Sequence, residues 1–171
     1  MPIRNDAALA FLTARRSRPA KLFTDPVPDR AQILEILAAA TRVPDHGKLE
    51  PWRLIVVQGA AFARLADLAE SRALELGGDP EKVAKGRGQF DAGRLAVVVI
   101  AAPKPAPKIP PVEQLMSAAA LCLGLVNAAE AAVRDKLVNG ELDAAHVLYG
   151  LVYGVQAGIG GPKKDMAVLM T

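Results

Sequence analysis

Arg42-Val43-Pro44-Asp45-His46-Gly47-Lys48-Leu49-Glu50-Pro51-Trp52 stands between a helix-periodic segment and a run of β-formers. Two prolines, a glycine, a histidine, charges of both signs and the only tryptophan fall within this short stretch. A loop of that composition, held by regular elements on both sides, is a place where binding chemistry gathers. Each residue also has a plainer use: the prolines can end a helix and start a strand, Trp52 can anchor a core, and His46 can be a solvated loop residue.

Upstream, Asp29 is a good N-cap for a helix in which Ile33, Ile36, Leu37 and Ala40 recur at i, i+3, i+4 and i+7. Arg42 falls at or just past its last turn, where it can complement the helix dipole or reach into an adjacent site. Downstream, Arg53 to Gln58 reads as a strand, and its continuous apolar run predicts cover on both faces. Nearer the N-terminus, Asn5 or Asp6 caps a helix running to about Ala14, with Ala8, Phe11 and Leu12 on its apolar side. Arg15, Arg16, Ser17 and Arg18 follow directly. Guanidinium forks and a hydroxyl at a helix exit suit a phosphate, and a solvated basic turn is the alternative reading.

Further on, a helix is predicted over Ala60 to Leu76, with Phe62, Leu65, Ala66, Ala69, Ala73 and Leu76 on one side, ended by Gly77-Gly78-Asp79-Pro80. Residues 81–94 read as a short helix and a mobile loop. Gly86-Arg87-Gly88 lacks the preceding strand and the Gly-Lys-Ser/Thr ending of a phosphate loop. Leu95 to Ala101 is a second strand. Pro110 and Pro111 lead into a long helix, almost wholly small or apolar from Met116 to Ala132, with Glu113 and Gln114 in its first turn. A helix apolar on most of its circumference must be covered on most of it, by the rest of the domain or by a second subunit; an interface between two copies is expected here, with a central helix of a monomer as the alternative reading. Residues 131–137 read as weakly helical, Asn139-Gly140 as a turn and Val147 to Tyr153 as a third strand. The tail from Gly154 has no core pattern.

The 171 residues suffice for one well-filled core, so a single domain over 1–171 is expected. Half the chain is apolar (51%), yet no run reaches the roughly 18 uncharged apolar residues of a spanning helix, and no apolar signal core follows Arg4 and Asp6. No membrane partner and a cytoplasmic location are the expectation. The single Cys122 suits a reducing compartment and reads as a buried, inert thiol. The net charge of +3 is spread along the chain, and four Phe, two Tyr and one Trp leave little for base stacking, so no nucleic-acid partner is expected. No metal-ligand pattern is expected either.

Arg15-Arg16-Ser17 after the first helix, Arg42-x-Pro44-Asp45-His46 and Pro51-Trp52 leading into a strand resemble the FMN-dependent nitroreductase family, in its small bacterial branch with Pro-Asp-His in the second motif. Ile109-Pro110-Pro111-Val112-Glu113-Gln114-Leu115-Met116-Ser117-Ala118 resembles that family's entry into its central helix, and Gly150-Leu151-Val152-Tyr153-Gly154 its last core strand. The resemblance implies an α+β, three-layer fold with a central mixed sheet flanked by helices, forming a homodimer with FMN in clefts at the subunit interface. Arg15, Arg16 and Ser17 would hold the phosphate and ribityl end; Arg42 and His46 would also contact FMN, with His46 reaching the flavin of the opposite subunit. The implied activity takes a hydride from NAD(P)H and reduces a small electron-poor acceptor such as a nitro compound or quinone; no residue need be an acid, base or nucleophile, so no catalytic residue is assigned.

Three departures from the family pattern stand out. The segment near 128–135 reads as shortened where the family carries a Gly- and aromatic-rich stretch, Val112 replaces an aromatic, and the arginine usual in the family's C-terminal tail is absent, with Lys163 or Lys164 the only nearby cations. The alternative function is a catalytically impaired flavin-binding, or cofactor-free, homodimer of the same fold.

Overall fold

The computed structural model describes residues 3–16 and 26–138, the side chains of 133–138 excepted. Its first two helices begin where the caps are. Asn5 accepts a hydrogen bond from Ala8 N at 2.9 Å and starts α1, Asp6–Ala14. Asp29 accepts from Gln32 N while Gln32 accepts from Asp29 N, a reciprocal box that starts α2, Arg30–Ala40. α2 buries Ile33, Ile36 and Ala40, three of the four members of the predicted stripe, whereas α1 buries nothing.

After the loop come β1 (Trp52–Gln58), α3 (Ala60–Glu75), α4 (Pro80–Asp91), β2 (Leu95–Ala101) and α5 (Pro111–Val138). β1 and β2 pair antiparallel, with Trp52 opposite Ala101 and Gln58 opposite Leu95. A further bond, Ala102 N to Pro51 O at 2.8 Å, extends the ladder past Trp52. β2 is the inner strand, with Ala96, Val97, Val99 and Ala101 buried. β1 departs from the expectation of cover on both faces: Ile55 is 46% and Val56 39% exposed among the described residues. A continuous apolar run records which residues can be buried and not what buries them. The mixed sheet that the resemblance implies needs further strands, and the expected third one, 147–153, lies outside the described residues, as does the tail.

α5 lies across α2 and β2 and carries the centre of the main core. Leu121, fully buried, meets Ile36, Ala40, Val97, Val99, Cys122, Leu125 and Ala129 there. Taking one leucine side chain out of water is worth about 1.5–3 kcal/mol. The two helices touch at Gly124, where a Cβ would stand 2.7 Å from the carbonyl oxygen of Ala40, so the crossing needs a residue without a side chain. By length and composition Pro111–Ala132 could cross a membrane. Here its buried face, which includes Gln114 and Ser117, packs into the protein core. The helix continues unbroken through 128–135 and past the stretch expected to be weakly helical.

A second, smaller core joins Val57, Phe62 and Ala96 between the sheet and α3. α4 corrects the expected short helix and loop: it runs from Pro80 to Asp91, capped by Asp79 at Lys82 N, and takes Gly86 and Gly88 inside it. What offsets the two glycines is cross-helix bonding. Arg87 of α4 pairs with Asp67 (2.9 Å) and Glu70 of α3 and with Asp91 one turn on (3.2 Å). Bonds to Asp67 and then Glu70 raise the guanidinium above the usual arginine range, so it holds its charge throughout.

Candidate functional site

The central loop is built by its own residues. Thr41 closes α2, its N–H bonding Leu37 O at 3.0 Å, and Arg42 follows with its N–H on Ala39 O at 3.2 Å. The Asp45 carboxylate accepts from Glu50 N at 2.7 Å, and the Asp45 carbonyl accepts from Lys48 N at 3.1 Å. Within that clasp a single helical turn, His46–Lys48, forms, and the backbone goes left-handed at Gly47 (φ 74°), Lys48 (φ 53°) and Glu50 (φ 46°). Two non-glycine residues in that region cost about 1–3 kcal/mol each, a cost met where the surroundings over-determine the turn and one often found at binding sites. Gly47 is required on two counts: its φ, and Ile109 Cδ1, which would lie 2.6 Å from a Cβ placed there. Pro51 is fully buried and Trp52 packs against the main core, so the downstream end is anchored.

The segment linking β2 to α5, against which the loop rests, is held in turn by Gln114. This buried side chain donates to Lys104 O at 2.9 Å and accepts from Lys104 N at 2.7 Å. One residue earlier, Glu113 Oε2 lies 2.9 Å from His46 Nδ1, joining the first turn of α5 to the loop. The Arg42 guanidinium, exposed, has no hydrogen bond or ion pair among the described residues.

The N-terminal cluster is arranged differently. α1 ends at Ala14 with Arg15 as its C-cap, half-buried and without a side-chain bond among the described residues. Arg16 turns back and donates to Thr13 O (2.9 Å) and Arg15 O (2.8 Å), so its guanidinium caps α1 in this state. Ser17 lies outside the described residues. Arg42 and His46 are thus brought together on one loop, while no hydrogen bond joins either to Arg15 or Arg16 among the described residues.

Sequence reading placed Glu113 at a helix start but missed its pairing with His46. Nothing local signals a contact between residues so far apart in the chain. Gln114 was missed likewise as the clasp on Lys104, although a polar residue inside an apolar helix start is a signal that it has a partner. Cys122 is the inert thiol expected: buried, its Sγ on Ala118 O at 3.2 Å, with burial pushing the thiol up to about 11. The site therefore offers guanidinium donors and an oriented imidazole, a set that binds and positions rather than attacks.

The family model of the nitroreductase family matches residues 12–169, and the chain belongs to that family, as a nitroreductase-type oxidoreductase. Among its relatives is a Haemophilus influenzae protein named "Putative NAD(P)H nitroreductase", 34% identical over 140 residues, which are 78% of this chain and 75% of that one. Another is "Putative NAD(P)H nitroreductase YdjA" of Escherichia coli K12, 33% identical over 124 residues, 72% of this chain and 67% of the relative. The fold is shared with the crystal structure of a nitroreductase-like family protein from Bacillus cereus: TM-score 0.55 at 23% identity, over 75% of this chain and 66% of that one.

Proposed function

We propose that this chain is an FMN-dependent oxidoreductase that takes reducing equivalents from NAD(P)H and passes them to a small electron-poor acceptor, a nitro compound or a quinone. The observation that carries the reading is the 42–52 loop, where an Arg42 guanidinium without a partner among the described residues stands four residues from an imidazole tied, among the same residues, at one nitrogen only. A guanidinium donor beside an imidazole fits an anionic cofactor with hydroxyl and ring N–H groups, and the family generally uses a flavin. The names of the two relatives, both reading NAD(P)H nitroreductase, support a nicotinamide donor. Arg15 and Arg42 would meet the phosphate end; Arg16 and Ser17 would join them once Arg16 gives up the α1 carbonyls; His46 would bond a neutral polar group. Bound FMN supplies the electron-transfer chemistry, and the chain supplies position and cationic stabilisation of charge.

The chain acts as a homodimer on this reading, because α5 leaves Val112 (60%), Leu115, Met116 (66%) and Leu123 exposed along one side. Sedimentation should then give twice the 18.0 kDa chain mass. A cytoplasmic location, with neither nucleic acid nor membrane as partner, goes with the same proposal.

The test is the visible spectrum of the protein with FMN, before and after anaerobic NADH or NADPH. Flavin bands that bleach support the oxidoreductase. Bands that stay oxidised leave a flavin-binding homodimer without turnover, and no bound flavin sinks the reading. Arg42→Ala should weaken FMN binding by about 1.5–3 kcal/mol, the worth of a charge-assisted bond, read by fluorescence titration.

A further inference from the structure

His46 has two ring nitrogens and the structure treats them differently. Nδ1 stands 2.9 Å from Glu113 Oε2, while Nε2 has no hydrogen bond among the described residues, on a side chain 64% exposed. A carboxylate can only accept, so the proton in that bond sits on Nδ1. A neutral imidazole carries one N–H; spending it on Glu113 leaves a lone pair on Nε2.

Both backbones that meet here are anchored. His46 lies inside the turn closed by the Asp45–Glu50 bond, and Glu113 precedes the buried Gln114, which grips Lys104 from both sides. The contact is solvent-exposed and adds little to stability. Its effect is on which form of the ring is presented.

We propose that Glu113 is a positioning residue that holds His46 as its Nδ1–H tautomer, so that Nε2 accepts a hydrogen bond from a hydroxyl or N–H group of the ligand. A lone pair on Nε2 repels a phosphate oxygen. The phosphate end therefore falls to the guanidinium groups, and His46 takes a neutral donor such as a ribityl hydroxyl or the flavin imide N–H. This assignment of the ligand group rests on the flavin reading above; the tautomer does not.

The experiment is long-range proton–nitrogen NMR of the imidazoles in the full-length, flavin-free protein, in alkaline buffer where the rings are neutral. His146 is the only other histidine, so His46→Gln identifies the signal. The wild type should show His46 as Nδ1–H, Glu113→Ala should move it towards Nε2–H, and Glu113→Gln, which keeps an acceptor oxygen, should retain Nδ1–H. FMN affinity should fall about two- to fivefold in Glu113→Ala, the scale of an exposed pair, with no further fall when Glu113→Ala is added to His46→Gln. A wild type already in the Nε2–H form overturns the proposal. So does a Glu113→Ala protein with an unchanged ring, with unchanged FMN affinity, or with the same loss in the His46→Gln background. A wild type that binds no FMN sinks the flavin reading instead, and the ring measurement then supports or overturns the role of Glu113 by itself.

Discussion

α1 and α2 begin alike and end in different places. Each has an Asn or Asp cap bonded to the third N–H of its helix, and each is rich in alanine and leucine. α2 nevertheless buries Ile33, Ile36 and Ala40, the last two in one cluster with α5, while α1 leaves Leu9 (47%) and Leu12 (57%) in the open among the described residues. The caps determine where a helix starts; what it packs against is decided by distant chain. The two arginine sites inherit the difference. Among the described residues, Arg42 leaves a helix locked into the core and keeps its guanidinium available, whereas Arg16 leaves a helix that buries nothing and spends its donors on it.

The contrast is broken most forcefully by emptying the locked side. Leu121→Ala removes a fully buried side chain from the α2–α5–sheet junction and should cost about 2–5 kcal/mol in denaturant unfolding. A loss below 1 kcal/mol would mean that this junction does not hold the core. A smaller effect separates the loop from the core it rests on. Gln114→Ala leaves Lys104 N and O without their side-chain partner and should cost about 1–3 kcal/mol. Because the 102–110 segment carries Ile109 against Gly47, the same variant should speed amide exchange at residues 46–50 and leave α3 and α4 as they were.

Much of this was legible along the chain. The Asp29 cap, the Ile33–Ile36–Ala40 stripe and the bounds of β2 are local signals, and they appear where read, with Arg42 just beyond α2. Less was legible where two distant segments decide together. Residues 81–94 read as a short helix and a mobile loop because glycine lowers helix propensity, yet α4 runs on to Asp91, with Arg87 reaching Asp67 and Glu70 across a turn that no periodicity reports. The half of the site that rests on residue type, guanidinium and imidazole groups in one loop, could be read. The half that rests on contact could not: Glu113 against His46, and Arg16 folded back on α1.

The smallest effect is the one that can unmake the contrast between the helices. Leu12 is already 57% exposed, so Leu12→Ala removes little buried surface from the chain by itself and trades one good helix former for another. The expected change in unfolding free energy is within about 0.5 kcal/mol for an isolated protomer. If a second copy of the chain covers α1, the same substitution strips contacts from an interface. The loss should then approach the roughly 2 kcal/mol at the low end for a buried leucine, and the midpoint should depend on protein concentration. Measuring Leu12→Ala across a hundredfold range of concentration therefore separates two kinds of unlocked helix. One is held only by its caps, and Arg16 remains part of that capping. The other is locked by a partner, which frees Arg16 for a ligand when the partner arrives.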